Sequence, residues 1–152
     1  MTFANDSCFV TGVSDLIGQT EGTLFVEVDS EYHISEISDG TNSNRILFYT
    51  DASTLELRYL VKSSGTTHFN VSSSTTISKG DKIALAYANN DCVIYKNGTL
   101  LDSQTSVTIP SCSKLNIGSD YNGSISNDNT TNQALLFKTR LSNAELADLT
   151  TI

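Results

Sequence analysis

Apolar and polar residues alternate along most of this chain in short runs separated by turn-forming residues. A period of two is the mark of a strand with one buried and one wet face. Thr23 to Asp29 sets Leu24, Val26 and Val28 against Phe25 and Glu27. Tyr32 to Ser38 carries Ile34 and Ile37 less regularly and breaks at Asp39-Gly40. Arg45 to Thr50 alternates Ile46 and Phe48 against Leu47 and Tyr49. Thr54 to Lys62 puts Leu55, Leu57, Tyr59 and Val61 on one face, with Glu56 and Arg58 opposite. Thr66 to Val71 follows the turn at Ser64-Gly65, with Phe69 and Val71 together. The serine- and threonine-rich stretch Ser72 to Ser78 reads as a short strand around Ile77, then a turn at Lys79-Gly80-Asp81.

Lys82 to Ala88 points Ile83, Leu85 and Tyr87 inward and leaves small Ala84 and Ala86 on the other face. Asn89-Asn90 turns into Asp91 to Lys96, where Cys92 and Ile94 share the core side. Asn97-Gly98 is a two-residue type I′ hairpin signal leading to Thr99 to Ser103. Further strands are expected at Val107 to Ile109, Lys114 to Ile117 and Ser124 to Ser126.

The one helical signal closes the chain. From Gln133, Leu135 and Phe137 fall on one strand face and Leu136 on the other. Ser142 with Glu145 three residues later is a capping box, and Leu141, Ala144, Leu146 and Leu149 form the apolar stripe of the turn that follows. About a dozen short strands and one helix predict an all-β, two-sheet antiparallel sandwich with a short C-terminal helix packed on its edge.

Composition narrows the function classes. The 152 residues fit a single domain spanning 1–152, large enough to bury a core without metals or disulfides. Net charge is −8, so the surface repels phosphate backbones and anionic lipid, and neither nucleic-acid binding nor membrane insertion is expected. No run approaches the roughly 18 consecutive apolar residues of a membrane span, and the first residues lack the basic and apolar regions of a secretion signal. Cys8, Cys92 and Cys112 are odd in number and unpaired in spacing, which favours reduced cysteines, with a Cys8–Cys112 bridge as the minor alternative.

The order of segments resembles the concanavalin A-like lectin/glucanase superfamily, in particular its laminin G-like branch. The resemblance is carried by Gly22-Thr23-Leu24-Phe25-Val26-Glu27-Val28, by Ser38-Asp39-Gly40, and by the tandem Lys82 to Tyr87 and Cys92 to Gly98. Asn116-Ile117-Gly118-Ser119, Tyr121-Asn122-Gly123-Ser124-Ile125 and the closing Gln133 to Leu146 complete it, over residues 8 to 150. The wording of Ile17 to Thr23 is similar to such domains in tail and appendage proteins of bacteriophages. The resemblance implies a jelly-roll sandwich in a virion, assembled in the host cytoplasm. Its partners would be a host-surface glycan and other virion proteins, with fibre domains often forming homo-oligomers. A structural virion decoration or fibre-joining protein without a glycan site is the alternative.

Glu27-Val28-Asp29-Ser30-Glu31 has the E-x-D-x-E form of retaining glucanases in that superfamily, where strand alternation aims three carboxylates at one sheet face. Here the resemblance assigns the pentapeptide to an edge-proximal strand, and the chain has no tryptophan to line a sugar cleft. His33 and His68 have no nucleophile signature near them. The expectation is a protein that is not an enzyme, with a small glycan hydrolase as the least favoured reading.

Two polar loops are the candidate ligand sites. One is Asp39 to Arg45, offering Asp39, Asn42, Asn44 and Arg45. The other is Asp120 to Asn129, offering Asp120, Asn122, Asn127, Asp128 and Asn129 around Tyr121. Planar amides and carboxylates exchange hydrogen bonds with vicinal hydroxyls beside an aromatic ring that covers a sugar's apolar face. The same oxygens suit Ca²⁺ at Asp39, Asp120 or Asp128, the one cofactor in view, and the same residues also make ordinary turns.

Overall fold

A computed structural model describes residues 8–124 and 130–152. Its strands, in chain order, are β1 Cys8–Thr11, β2 Glu21–Val28, β3 Ile34–Ser38, β4 Arg45–Thr50, β5 Glu56–Ser63 and β6 Thr66–Thr76. They continue as β7 Lys82–Ala88, β8 Asp91–Lys96, β9 Thr99–Gln104, β10 Lys114–Ile117 and β11 Thr131–Phe137, and the helix α1 spans Asn143–Thr150. All pairings are antiparallel. One sheet has the order β1-β10-β3-β4-β5-β6 and the other β11-β2-β7-β8-β9. The expected all-β sandwich with one short helix is what the chain forms.

The core lies between the sheets. From the six-stranded sheet come Ile37, Ile46, Phe48, Leu57, Tyr59 and Val61; the five-stranded sheet answers with Leu24, Val26, Ile83, Leu85, Tyr87 and Ile94. These are the residues that period-two alternation places on one face. Cys92 joins them as a small hydrophobe, and all three cysteines are free, so no Cys8–Cys112 bridge exists.

A second, smaller core explains Ala84 and Ala86. They face away from the main core, with Phe25, Val93 and Tyr95, and Leu146 of α1 packs on them. The helix therefore covers the outer face of the five-stranded sheet instead of its edge. Small side chains on β7 are what let a helix lie that close. The capping box is present: Ser142 Oγ accepts from Glu145 N, and the Glu145 carboxylate accepts from Ser142 N at 2.7 Å. Ala144 is exposed, and Ala147 takes its place in the stripe.

Four local expectations change. Ser72 to Thr76 of the Ser72 to Ser78 stretch form the second half of one long strand, β6, with hydroxyls satisfied across the ladder: Ser72 Oγ donates to Glu56 and Ser73 Oγ to the Leu57 carbonyl. Ile77 lies beyond it, buried in the core. Leu55 is no strand residue; it turns with φ 61° and β5 begins at Glu56. Val107 to Ile109 is not a strand, since its polar backbone is spent on Asn89 and Asn90: Ile109 N donates to Asn89 Oδ1 and Val107 O accepts from Asn90 N. Ser124 lies outside any strand, and the rest of the strand expected there falls outside the described residues. At the hairpin, Asn97 and Gly98 both have positive φ, 49° and 78°, as a type I′ turn requires.

Candidate functional site

Alternate residues of the six-stranded sheet point outward and form three rows across it. The first runs Lys114–Ser38–Arg45–Lys62, the second Phe9–Asn116–Glu36–Leu47–Leu60–Asn70, and the third Ile34–Tyr49–Arg58–Ser72. No helix lies on this face among the described residues; the turn at 118–124 lies against it at Arg45, Lys114 and Asn116.

That turn and the Asp39 to Arg45 loop meet there. The Arg45 guanidinium donates to Glu36 Oε2 at 2.6 Å and to Asn42 Oδ1 at 2.9 Å, and its central carbon sits 4.6 Å from the centroid of the Tyr121 ring. Lys114 Nζ donates to the Tyr121 carbonyl at 2.8 Å and lies over the Phe9 ring. Two candidate residues from loops some 75 positions apart, about the span from Arg45 to Tyr121, are thus stacked on each other.

Beneath them is a buried polar floor. Glu36 is fully buried, as is its cross-strand neighbour Asn116. The Asn116 amide donates to Ser119 Oγ and to the Asp120 carbonyl, which holds the second loop down. Glu36 Oε1 and Asn116 Oδ1 have no hydrogen-bond partner among the described residues. Burial pushes the Glu36 carboxyl above its ordinary range; Arg45 pulls against this and the nearby Asp120 charge adds to it.

The remaining loop residues are engaged in turns. The Asp39 carboxylate accepts from Thr41 N, Thr41 Oγ1 and Asn44 Nδ2. Burial would raise its pKa, but these bonds outweigh it and hold the carboxyl below the usual range. Asn44 Oδ1 accepts from Ser64 N. Asp120 Oδ1 accepts from the backbone N–H groups of Asn122 and Ser124. Among the described residues no three His, Cys, Asp or Glu side chains converge as metal ligands, and Asp39 and Asp120 lie in separate turns. Asn127, Asp128 and Asn129 lie outside the described residues.

Two cavities flank the cluster. A trough of about 230 Å³ on the sheet face is lined by Ile34, Arg45, Leu47, Tyr49 and Leu60. A larger rim cavity of about 560 Å³ lies behind the Asp39 turn, beside Gln19, Asn44, Ser64 and Ser111. Much of its polar lining is already spent: Gln19 bonds both the N–H and the C=O of Cys112, and Asn44 bonds Asp39 and Ser64. The trough differs in its lining, which is apolar at Ile34, Leu47 and Leu60 and carries the already ordered side chains of Arg45 and Tyr49 at its edges. Ile34, Glu36, Leu47, Tyr49, Leu60 and Asn116 stand on sheet strands, outside the two polar loops to which the sequence points. Glu36 has one signal in the sequence, a carboxylate in a short strand segment between Ile34 and Ile37.

The E-x-D-x-E segment does not present three carboxylates on one face. β2 ends at Val28, so alternation stops before Asp29 and Glu31, and Glu27 Oε1 accepts from Asn132 Nδ2. β2 lies second from the edge of its sheet.

Solved structures place the architecture. The NanB sialidase of Streptococcus pneumoniae superposes with a TM-score of 0.74 at 16% identity, over 97% of this chain and 27% of that one. Mouse laminin alpha1 domains LG4-5 superpose at 0.68 and 12% identity, over 91% and 41%. The CBM40 of a Ruminococcus gnavus IT-sialidase, solved bound to alpha2,3 sialyllactose, gives 0.59 and 12%, over 88% and 84%. The fold is the jelly-roll sandwich these structures share. This jelly roll spans only about a quarter of the sialidase chain it superposes on. No family model and no curated protein sequence matches the chain.

Proposed function

We propose that the chain is a non-catalytic carbohydrate-binding domain whose ligand lies along the outer face of the six-stranded sheet, between Tyr121 and Tyr49. The observation that carries this reading is the trough itself. Leu47 and Leu60, with Ile34, make an apolar floor for a sugar's non-polar face, while the Arg45 guanidinium and the Tyr49 hydroxyl stand at its borders. Arg45 is held by Glu36 and Tyr121, so little side-chain entropy is lost when a ligand docks. That a CBM40 with this fold holds sialyllactose supports the reading.

The sequence resemblance supports a finer setting: a tail fibre or appendage of a phage virion, where a weak site recognising a host-surface glycan gains avidity from copy number. The domain is one module of that particle, with other virion proteins as partners. A purified-protein glycan array tests the site. Binding that disappears in Tyr49→Ala and Tyr121→Ala supports it, and binding unchanged in both would sink it. Release of reducing sugar that is lost in Glu27→Gln would overturn the non-catalytic part.

One observation favours the second reading, a structural virion protein. β1 is an edge strand exposed along its whole length, with Phe9 61% exposed. Such an edge is a template for pairing with another chain. Oligomer formation lost in Val10→Pro, with no glycan bound by the intact protein, favours that role.

A further inference from the structure

We infer that the sheet-face trough selects anionic glycans, carrying a carboxylate or sulfate, over neutral ones; this rests on the glycan-binding reading above. The chain carries an excess of acid, −8 overall, and has only nine Lys and Arg residues. Four of those nine, Lys114, Arg45, Arg58 and Lys62, occupy outward positions on this one sheet. The outward carboxylates on its strands are Glu36, which is buried and spent on Arg45, and Glu56, which accepts from Ser72 at the far end of β5.

Two of the cations are in no ion pair among the described residues, and Arg58 bonds only Asn70, at its side chain and its carbonyl. Lys62 and Arg58 stand on β5 on either side of Leu60, four residues or roughly 13 Å apart along the strand. Neither has an ion-pair partner within bonding distance among the described residues. Arg58 is aimed by Asn70, whose Oδ1 accepts from Arg58 Nε at 3.3 Å and from the Tyr49 hydroxyl at 3.1 Å. Asp51 lies within electrostatic reach of Arg58, but its carboxylate Oδ1 is turned back onto Ser53 and Thr54. Lys62 faces Arg45 across the ladder. A cation therefore stands at each end of the Leu47–Leu60 pad, on a protein whose net charge is −8. An anionic sugar is steered to this face and held at one end or the other of the pad by a charge-assisted hydrogen bond.

The test is an array of neutral, carboxylated and sulfated glycans, followed by calorimetry with lactose, α2,3-sialyllactose and 3′-sulfolactose at low and high salt. The inference requires acidic binders to outrank neutral ones and to weaken as salt rises. It also requires Arg58→Gln or Lys62→Gln to cost roughly tenfold in affinity for the acidic ligand, a larger loss than either causes for lactose, with the melting temperature of Lys62→Gln unchanged. Carboxylated and sulfated arms separate the two anions. Neutral glycans bound as tightly as acidic ones, without salt dependence, overturn this inference and leave the carbohydrate reading standing. No glycan bound at all, or capture by anionic-lipid vesicles alone, overturns both.

Discussion

The Tyr59 hydroxyl donates a hydrogen bond to the Asp102 carboxylate, tying β5 of one sheet to β9 of the other. Tyr59 is wholly buried, and burial together with the Asp102 charge raises its pKa, so the phenol keeps its proton. Gln104 Nε2 donates to the same carboxylate oxygen at 2.8 Å. Lys96 Nζ of β8 makes a second such link, donating to the Thr76 carbonyl of β6 at 2.7 Å, and these directional bonds add to the non-directional apolar contact between the sheets.

Tyr59→Phe keeps the ring and its packing against Phe69 but removes the donor. A hydrogen bond to a charged group contributes about 1.5–3 kcal/mol, and Asp102 retains Gln104, so a loss near 1.5 kcal/mol is expected. At this chain length that lowers the melting temperature by roughly 3–6 °C. An unchanged melting temperature would show that the bond contributes nothing net.

Gly18 accounts for part of the Ile17 to Thr23 wording. A Cβ there would stand 1.7 Å from the Glu21 carbonyl oxygen and 2.4 Å from that of Lys138, both main chain. Nothing flexible is available to move aside. Gly18→Ala is expected to cost about 3 kcal/mol or more in denaturant unfolding. Gly65→Ser, at a turn with open space around it, is expected to cost less despite its positive φ.

Glu36 and the aspartates make stability depend on pH in opposite directions. A carboxyl raised by burial adds stability below its unfolded value of 4.5, and that contribution is lost as pH rises through the folded value. Asp81 runs the other way. Burial opposes ionisation, but bonds from Lys96, Asn97 and Ser78 prevail and lower it, so its contribution is present above 3.8 and lost as pH falls through the folded value. Melts between about pH 3 and 8 are expected to show a rise from the acid side and then a decline that Glu36→Gln flattens. Arg45→Gln leaves the buried anion alone and is expected to cost about 3–5 kcal/mol at neutral pH and less in acid. Parallel curves for wild type and Glu36→Gln would refute this assignment.

The three thiols differ in reactivity. Cys8 is exposed, while Cys92 and Cys112 are buried, and burial pushes both of their thiols up to about 12. A disulfide reagent applied to the native protein is expected to titrate one thiol quickly and the other two only on denaturation. Cys8→Ser removes the fast phase.

Alternation located the core because burial acts on one residue at a time: Ile46, Phe48, Tyr59 and Ile94 show it by their own chemistry. It failed where a neighbouring strand decides. Ser72 to Thr76 show only a short strand centred on Ile77 until Glu56 and the Leu57 carbonyl are placed opposite them. Glu36 is legible as an odd carboxylate, but its meaning depends on Arg45 and Asn116 sharing its ladder. The loops named as ligand sites proved to be turn-builders at Asp39 and Asp120, yet Arg45 and Tyr121 do converge. The trough between Leu47 and Leu60 was hidden because ordinary strand alternation puts those leucines on the face expected to be wet.

The placement of α1 also governs how the molecule is held. Helix and chain end lie together against the five-stranded sheet, with Lys82 Nζ bonding the Thr151 carbonyl, Gly98 N bonding Thr150 Oγ1 and Ile152 projecting outward. Anything attached after Ile152 therefore emerges on the side away from the trough. Fixed to a surface or a particle by that end, the domain turns its basic sheet face toward the surroundings.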